Sequence, residues 1–202
     1  MLKKFASEAL GLSDIGSIIQ PKDYGSVDAD DYLFHEDGEK IFFLIKSRKD
    51  EYCFTNLALI HVDGDSAVSS KRSIKRYDYA SHPVSAVTIE TAGTIDMDVE
   101  LKFTIGNEVF SIDVRKSFIE QLKDVYKALI TIGKHQQADE ARRANALRAL
   151  DATASMYRIG SVTSAEVITT QFTELLKTLN SAVLESATKR DYGDVFARYI
   201  HG

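Results

Sequence analysis

Cysteine is almost absent from this chain of 202 residues, with Cys53 its only example. A single thiol can neither close a disulfide within the chain nor assemble a tetrahedral thiolate metal site. A reducing, cytoplasmic setting is therefore expected. An excess of positive charge is also missing: 25 Lys and Arg stand against 30 Asp and Glu, for a formal charge of -5. A general nucleic-acid binder normally carries the opposite balance, because it must displace counterions from phosphate. Nowhere do ~18 uncharged apolar residues follow one another, so no membrane-spanning helix is expected and any membrane contact would be peripheral. Lys3 and Lys4 precede an apolar stretch, but Glu8, Gly11 and Asp14 interrupt it before it reaches the length of a secretion signal.

Catalytic fingerprints are missing as well. The chain has no G-x-S-x-G, P-loop or G-x-G-x-x-G, and His35, His61, His82, His135 and His201 lack the i, i+4 spacing of a zinc helix. No catalytic residue, cofactor or metal ligand is assigned, and an enzyme is not expected. Asp28, Asp30 and Asp31 lack the glycine and glutamate of a calcium loop. Cys53, flanked by Tyr52 and Phe54, fits a small buried hydrophobe better than a nucleophile.

What is present is the composition of a folded protein, 44% hydrophobic and 27% charged. Leu2, Phe5, Ala6, Ala9 and Leu10 have helical spacing and stop at Gly11, which predicts a short amphipathic helix. Residues 16 to 31, with Pro21 and Gly25, predict a connecting segment. From Tyr32 to Arg115 the pattern is strand and turn. Asp37-Gly38 and Asp63-Gly64 suit tight hairpins. Strands are predicted over 40–46, 51–56, 57–62, 66–77, 84–91, 96–105 and 109–114. The sixth alternates cleanly, with Met97, Val99, Leu101, Phe103 and Ile105 on one face and Asp96, Asp98, Glu100 and Lys102 on the other. Gly106-Asn107 marks the turn into the seventh.

Ser117 and Glu120 read as a capping box, after which Phe118, Leu122, Val125, Leu129 and Ile132 repeat at helical spacing until Gly133. Such a helix can plug the open end of a seven-stranded antiparallel barrel. Beyond Lys134 the composition turns to Ala, Leu, Arg and Glu. Ala138, Ala141, Ala144, Leu147 and Leu150 predict one helix. A second box, Thr163 and Glu166, opens another that carries Phe172, Leu175, Leu176, Leu179 and Val183. The expected organisation is an N-terminal helix and connecting segment over 1–31, a β domain over 32–135, and a helical hairpin over 136–202. A hairpin of this kind cannot bury its apolar stripe alone, which points to self-association.

Several stretches resemble one family: Phe54-Thr55-Asn56 running into Leu59-Ile60 and Val62-Asp63, Glu90-Thr91-Ala92-Gly93, Asp96-x-Asp98-x-Glu100-Leu101-Lys102, and Lys116-Ser117 at the start of the helix. In these the chain is similar to the bacterial pleckstrin-homology proteins of the YvbH-like type. The resemblance extends over nearly the whole chain. It implies an α+β fold, a seven-stranded PH-like barrel or sandwich capped by a helix and followed by a helical oligomerisation extension. It also implies ring-like homo-oligomers and no established catalytic activity, and it carries over no ligand.

Two basic clusters are the candidate anion- or lipid-binding residues: Lys46, Arg48 and Lys49 in the first strand connection, and Lys71, Arg72, Lys75 and Arg76 on the fourth predicted strand. Asp50 and Glu51 follow the first cluster at once and weaken its match to a phosphate clamp. A solvated strand edge or an ion pair between subunits is the competing explanation. Asp96, Asp98 and Glu100 stand ~7 Å apart in a line, a row that cannot surround a cation. They are assigned to a solvated or subunit-contacting face, and Lys75 and Arg76 of a neighbour could set the register against them. Phe172, Leu175, Leu176 and Leu179 are the interface candidates of the hairpin. The expected partners are further copies of the chain, and beyond them a protein ligand.

Overall fold

The computed structural model describes residues 14–64, 72–91, 98–157, 165–179 and 189–200. The predicted helix over Leu2–Leu10, the join near Gly160, and Lys71, Asp96 and Met97 lie outside the described residues.

Among the described residues eight strands form two antiparallel sheets, neither closed into a barrel, where seven strands in a barrel or sandwich are expected. The first has the order β1 (Ser17–Ile18), β2 (Ile41–Lys46), β3 (Glu51–Thr55), β4 (Ala58–Gly64), β5 (Arg72–Asp78). The second comprises β6 (Val84–Thr91), β7 (Asp98–Ile105) and β8 (Glu108–Arg115). The additional strand β1 is only two residues long, too short for a period-2 pattern to announce. It borders β2, and the residue before it stitches the two sheets together. Gly16 donates its N–H to Asp113 O at 2.7 Å and accepts from Arg115 N at 3.0 Å. A Cβ at Gly16 would lie 2.7 Å from Ile45 Cγ2, so the close approach requires glycine.

Burial explains why the strands of the two sheets read so differently. β7 buries Val99, Leu101, Phe103 and Ile105 and leaves the alternate residues partly wet, the one-sided alternation of a half-covered sheet. In β2, Phe42-Phe43-Leu44-Ile45 is buried without interruption because that sheet is covered on both faces. Phe43, Ile45, Phe54 and Leu59 join Leu101, Phe103, Ile105 and Phe110 of the second sheet in the main core. Leu44, Cys53, Ile60 and Val62 face the other way, under Ile19, Val27, Ala29 and Leu33. The segment predicted as a mere connection is thus a cover, built from short 3-10 turns at Pro21–Ser26, Asp28–Tyr32 and His35–Asp37. Gly38 adopts a φ of 75° as expected, yet it ends the last of these turns and does not sit in a hairpin. Gly106, at φ 60°, does join two strands, β7 and β8.

The helix α1 (Ile119–Tyr157) is 39 residues long. Leu122, Val125, Leu129 and Ile132 enter the main core as their spacing predicts. Its start differs from the expected capping box: a 3-10 turn at Lys116–Phe118 leads in without a side-chain cap, and Glu120 pairs with Lys123 at 2.7 Å. Gly133 does not stop it. This glycine serves close packing, since a Cβ there would lie 2.5 Å from Val84 O. Two further helices follow, α2 (Ala165–Leu179) and α3 (Gly193–Ile200).

The chain divides into two compact units, Met1–Gly133 with Arg190–Gly202, and Lys134–Lys189. The last segment therefore belongs with the β sheets, and not with the hairpin expected over 136–202. Tyr192, Val195 and Phe196 are fully buried in the main core. In the second unit, Asp139 is the one buried side chain among the described residues, held by Arg142 at 2.8 Å and by Lys189 N at 2.9 Å. Among the described residues its apolar side chains are at best half-buried.

Candidate functional site

The first basic cluster sits where β2 turns into β3. Lys46 and Glu51 are register partners at the ends of those strands, and Lys46 Nζ ion-pairs with the Glu51 carboxylate. That carboxylate is almost fully buried and also accepts from Asp28 N at 3.1 Å and Ala29 N at 2.8 Å, which pins the cover to the sheet. Lys46 is consequently a structural cation. The turn itself is tight: Ser47 Oγ accepts from Lys49 N and Asp50 N, and Ser47 N donates to Asp50 O at 2.8 Å. Arg48 and Lys49 project from it, exposed.

The second cluster is divided by the pleat of β5. Arg72 and Arg76 lie on the covered side, where Arg72 comes within 3.7 Å of Asp28. Arg76 binds Glu39 at 2.9 Å and Asp78 at 2.7 Å, and its guanidinium stacks 4.6 Å over the Phe34 ring. Burial works against the Arg76 charge, but the hydrogen bonds it donates to Glu39 and Asp78 outweigh it and hold the pKa above the ordinary value. Lys75 points to the opposite side, exposed and opposite His61 in register. The six predicted cations among the described residues therefore do not converge. Lys46, Arg72 and Arg76 are ion-paired within the chain, and Arg48, Lys49 and Lys75 remain as exposed charges. The hub missed by sequence reasoning is Glu39, whose buried carboxylate also accepts from Thr55 Oγ1 at 2.6 Å and Phe34 N at 2.8 Å. Only a pattern of partners far apart in the chain could have revealed it.

Of the acidic row, Asp98 and Glu100 lie on the outer face of the second sheet. Register places Glu90, Glu100 and Asp113 side by side on β6, β7 and β8, and Asp98 opposite Arg115. Lys102 bridges Glu90 at 2.8 Å and Glu100 at 2.9 Å. A hydrogen bond from Ser111 and the Lys102 ammonium hold the Glu100 carboxyl below its ordinary range. Asp113 has the reverse environment: partial burial, then the charges of Glu100 and Asp98, push its pKa up. The face is a charged surface. In the helical unit, Phe172 is 53% exposed, Leu147 52% and Val167 40%. Leu175 and Leu176 are half-buried, and Leu179 ends α2.

Two antiparallel sheets packed on a common core, with a long helix after the last strand, define a pleckstrin-homology-like protein. The chain belongs to the bacterial PH domain family, whose model matches residues 9–133. It is 50% identical to the uncharacterized protein YvbH of Bacillus subtilis (strain 168) over 204 residues, spanning 100% of both chains. The uncharacterized protein YjqA of the same organism is 32% identical over 97 residues, 48% of this chain and 76% of the relative. A crystal structure of a PH-domain-containing bacterial protein from Exiguobacterium sibiricum superposes with a TM-score of 0.84 at 42% identity, covering 93% of this chain and 100% of that one.

Proposed function

We propose that this protein is a non-catalytic, cytoplasmic binding or scaffolding module that works as a homo-oligomer. The observation carrying this reading is the second unit, Lys134–Lys189, in which no apolar side chain is buried among the described residues while Leu147, Val167 and Phe172 stand open to water. An apolar face of this kind is costly when solvated, and a second copy brings the same face in self-complementary form. The β unit then presents one binding surface per copy, and weak contacts of several copies to a shared protein target multiply. Among the described residues of the second cluster, Lys75 is left to meet the acidic row of a neighbour, because Arg76 is committed to Glu39 and Asp78.

Light scattering on the full chain tests the proposal. A mass of several chains is expected, falling to that of one chain in a Leu147→Glu, Phe172→Glu variant. A wild-type monomer at micromolar concentration overturns it. A peripheral adaptor for anionic membranes is the second reading, favoured by Arg48 and Lys49 standing exposed together on one tight turn. Co-sedimentation with phosphatidylserine vesicles at low salt decides it: binding lost in an Arg48→Glu, Lys49→Glu variant supports the adaptor, and no binding removes it.

A further inference from the structure

The β unit contains a slot for a helix, and the chain's own last residues fill it. Phe196 stacks on Phe42 of β2 with ring centroids 5.5 Å apart, and Tyr192 meets Tyr79 edge-on at 5.7 Å. Tyr199 shares a hydrogen bond with Thr131 of α1 at 3.1 Å. The entry is fixed by polar contacts at the turn between β3 and β4: Tyr192 N donates to Asn56 O at 2.8 Å, and Asn56 Nδ2 to Asp191 Oδ2 at 2.8 Å. The other Asp191 oxygen accepts from Gly193 N at 2.7 Å and so caps α3. Tyr192, Val195, Phe196, Tyr199 and Ile200 follow the i, i+3, i+4, i+7, i+8 spacing by which an amphipathic helix docks in a groove.

Three features make this occupant separable. At 8 residues α3 is too short to persist as a helix in water, so it folds only on docking. Between α1's buried turns and α3 the chain passes through the whole second unit, Lys134–Lys189. The residue just before the segment is held by a buried group, the Asp139 carboxylate, which accepts from Lys189 N. A second copy carries an identical segment that would make identical contacts in the slot, so exchanging the two sacrifices none of them.

We propose that this slot is a helix-docking site that accepts the Arg190–Gly202 segment of a second copy in place of the chain's own, with the Asp139 clasp favouring the resident segment. The proposal rests on the self-association reading for its consequence, since assembly is what brings a second segment close. Exchange of this element would lock neighbouring copies together through a fully buried aromatic contact.

The test is fluorescence anisotropy with a labelled peptide of sequence Arg190–Gly202 titrated with the full chain. Saturable binding is expected, tightened about fivefold by Asp139→Ala as the resident segment loosens. Asp139→Asn, which keeps an acceptor for Lys189 N, should bind as wild type does. A peptide carrying Phe196→Ala should lose about tenfold or more. No saturable binding to the wild-type or the Asp139→Ala chain, with circular dichroism showing both folded, overturns the proposal. Equal binding of the Phe196→Ala peptide overturns it too, as does an unfolded Asp139→Ala chain beside a wild type that binds nothing. Light scattering of the same samples separates the two ideas: a monomer that binds the peptide sinks self-association alone, and an oligomer that does not bind sinks the exchange alone.

Discussion

Glu39 and Arg76 meet at 2.9 Å beneath the Phe34 ring, one fully buried and one half-buried, and so tie the cover of the first sheet to its edge strand. Removing the cation leaves a carboxylate in the interior with only Thr55 Oγ1 and Phe34 N to solvate it. Arg76→Met is expected to cost about 3 kcal/mol in urea unfolding, the scale for a buried charge stripped of its partner. In the double variant with Glu39→Gln the two losses should fail to add by about 1 kcal/mol or more. Additive losses would show that the pair is not coupled.

Asp113 faces Glu100 across β7 and β8, and its raised pKa gives the sign of its pH dependence. A carboxyl whose folded pKa lies above the unfolded one favours folding when protonated, and this advantage disappears as pH rises through the folded value. At neutral pH the ionised Asp113 therefore opposes folding. Asp113→Asn should stabilise the protein at pH 7 by about 0.5 kcal/mol, the scale of one cross-strand charge pair. Thermal melts should show the gain shrinking with added salt, and vanishing in acid as the wild-type carboxyl itself becomes neutral.

Gly133 lies inside a helix, where alanine is ordinarily better by about 1 kcal/mol. Here a methyl group would lie 2.5 Å from Val84 O, a backbone atom that cannot rotate away. Gly133→Ala is accordingly expected to destabilise, by about 1–3 kcal/mol as for other overpacked sites. A rise in Tm would refute the close contact.

Cys53 is fully buried between Leu44 and Ile60, and burial, with help from Glu51 and Glu39, pushes its thiol pKa well up. Ellman's reagent should leave it unmodified in the native protein and label one thiol per chain in denaturant. Prompt labelling without denaturant would contradict this environment.

Local pattern was enough for the elements that bury one face. β7 and β8 alternate because water covers their other side, and Leu122, Val125, Leu129 and Ile132 repeat because a helix has one core-facing stripe. Tertiary structure alone decided the remainder. β1 exists because Gly16 can lie against both Ile45 and Asp113. The cover exists because Glu51 holds the backbone N–H groups of Asp28 and Ala29, distant in sequence, and Glu39 joins Phe34 N to Arg76. α1 continues past Gly133, and α3 returns to Asn56 across more than a hundred residues of chain. In the candidate site, too, the residue types were visible in the sequence, but their pairing was not. Whether a lysine or arginine is a free charge or half of an ion pair depends on which carboxylate the fold brings beside it, and that distance is a property of the packed chain.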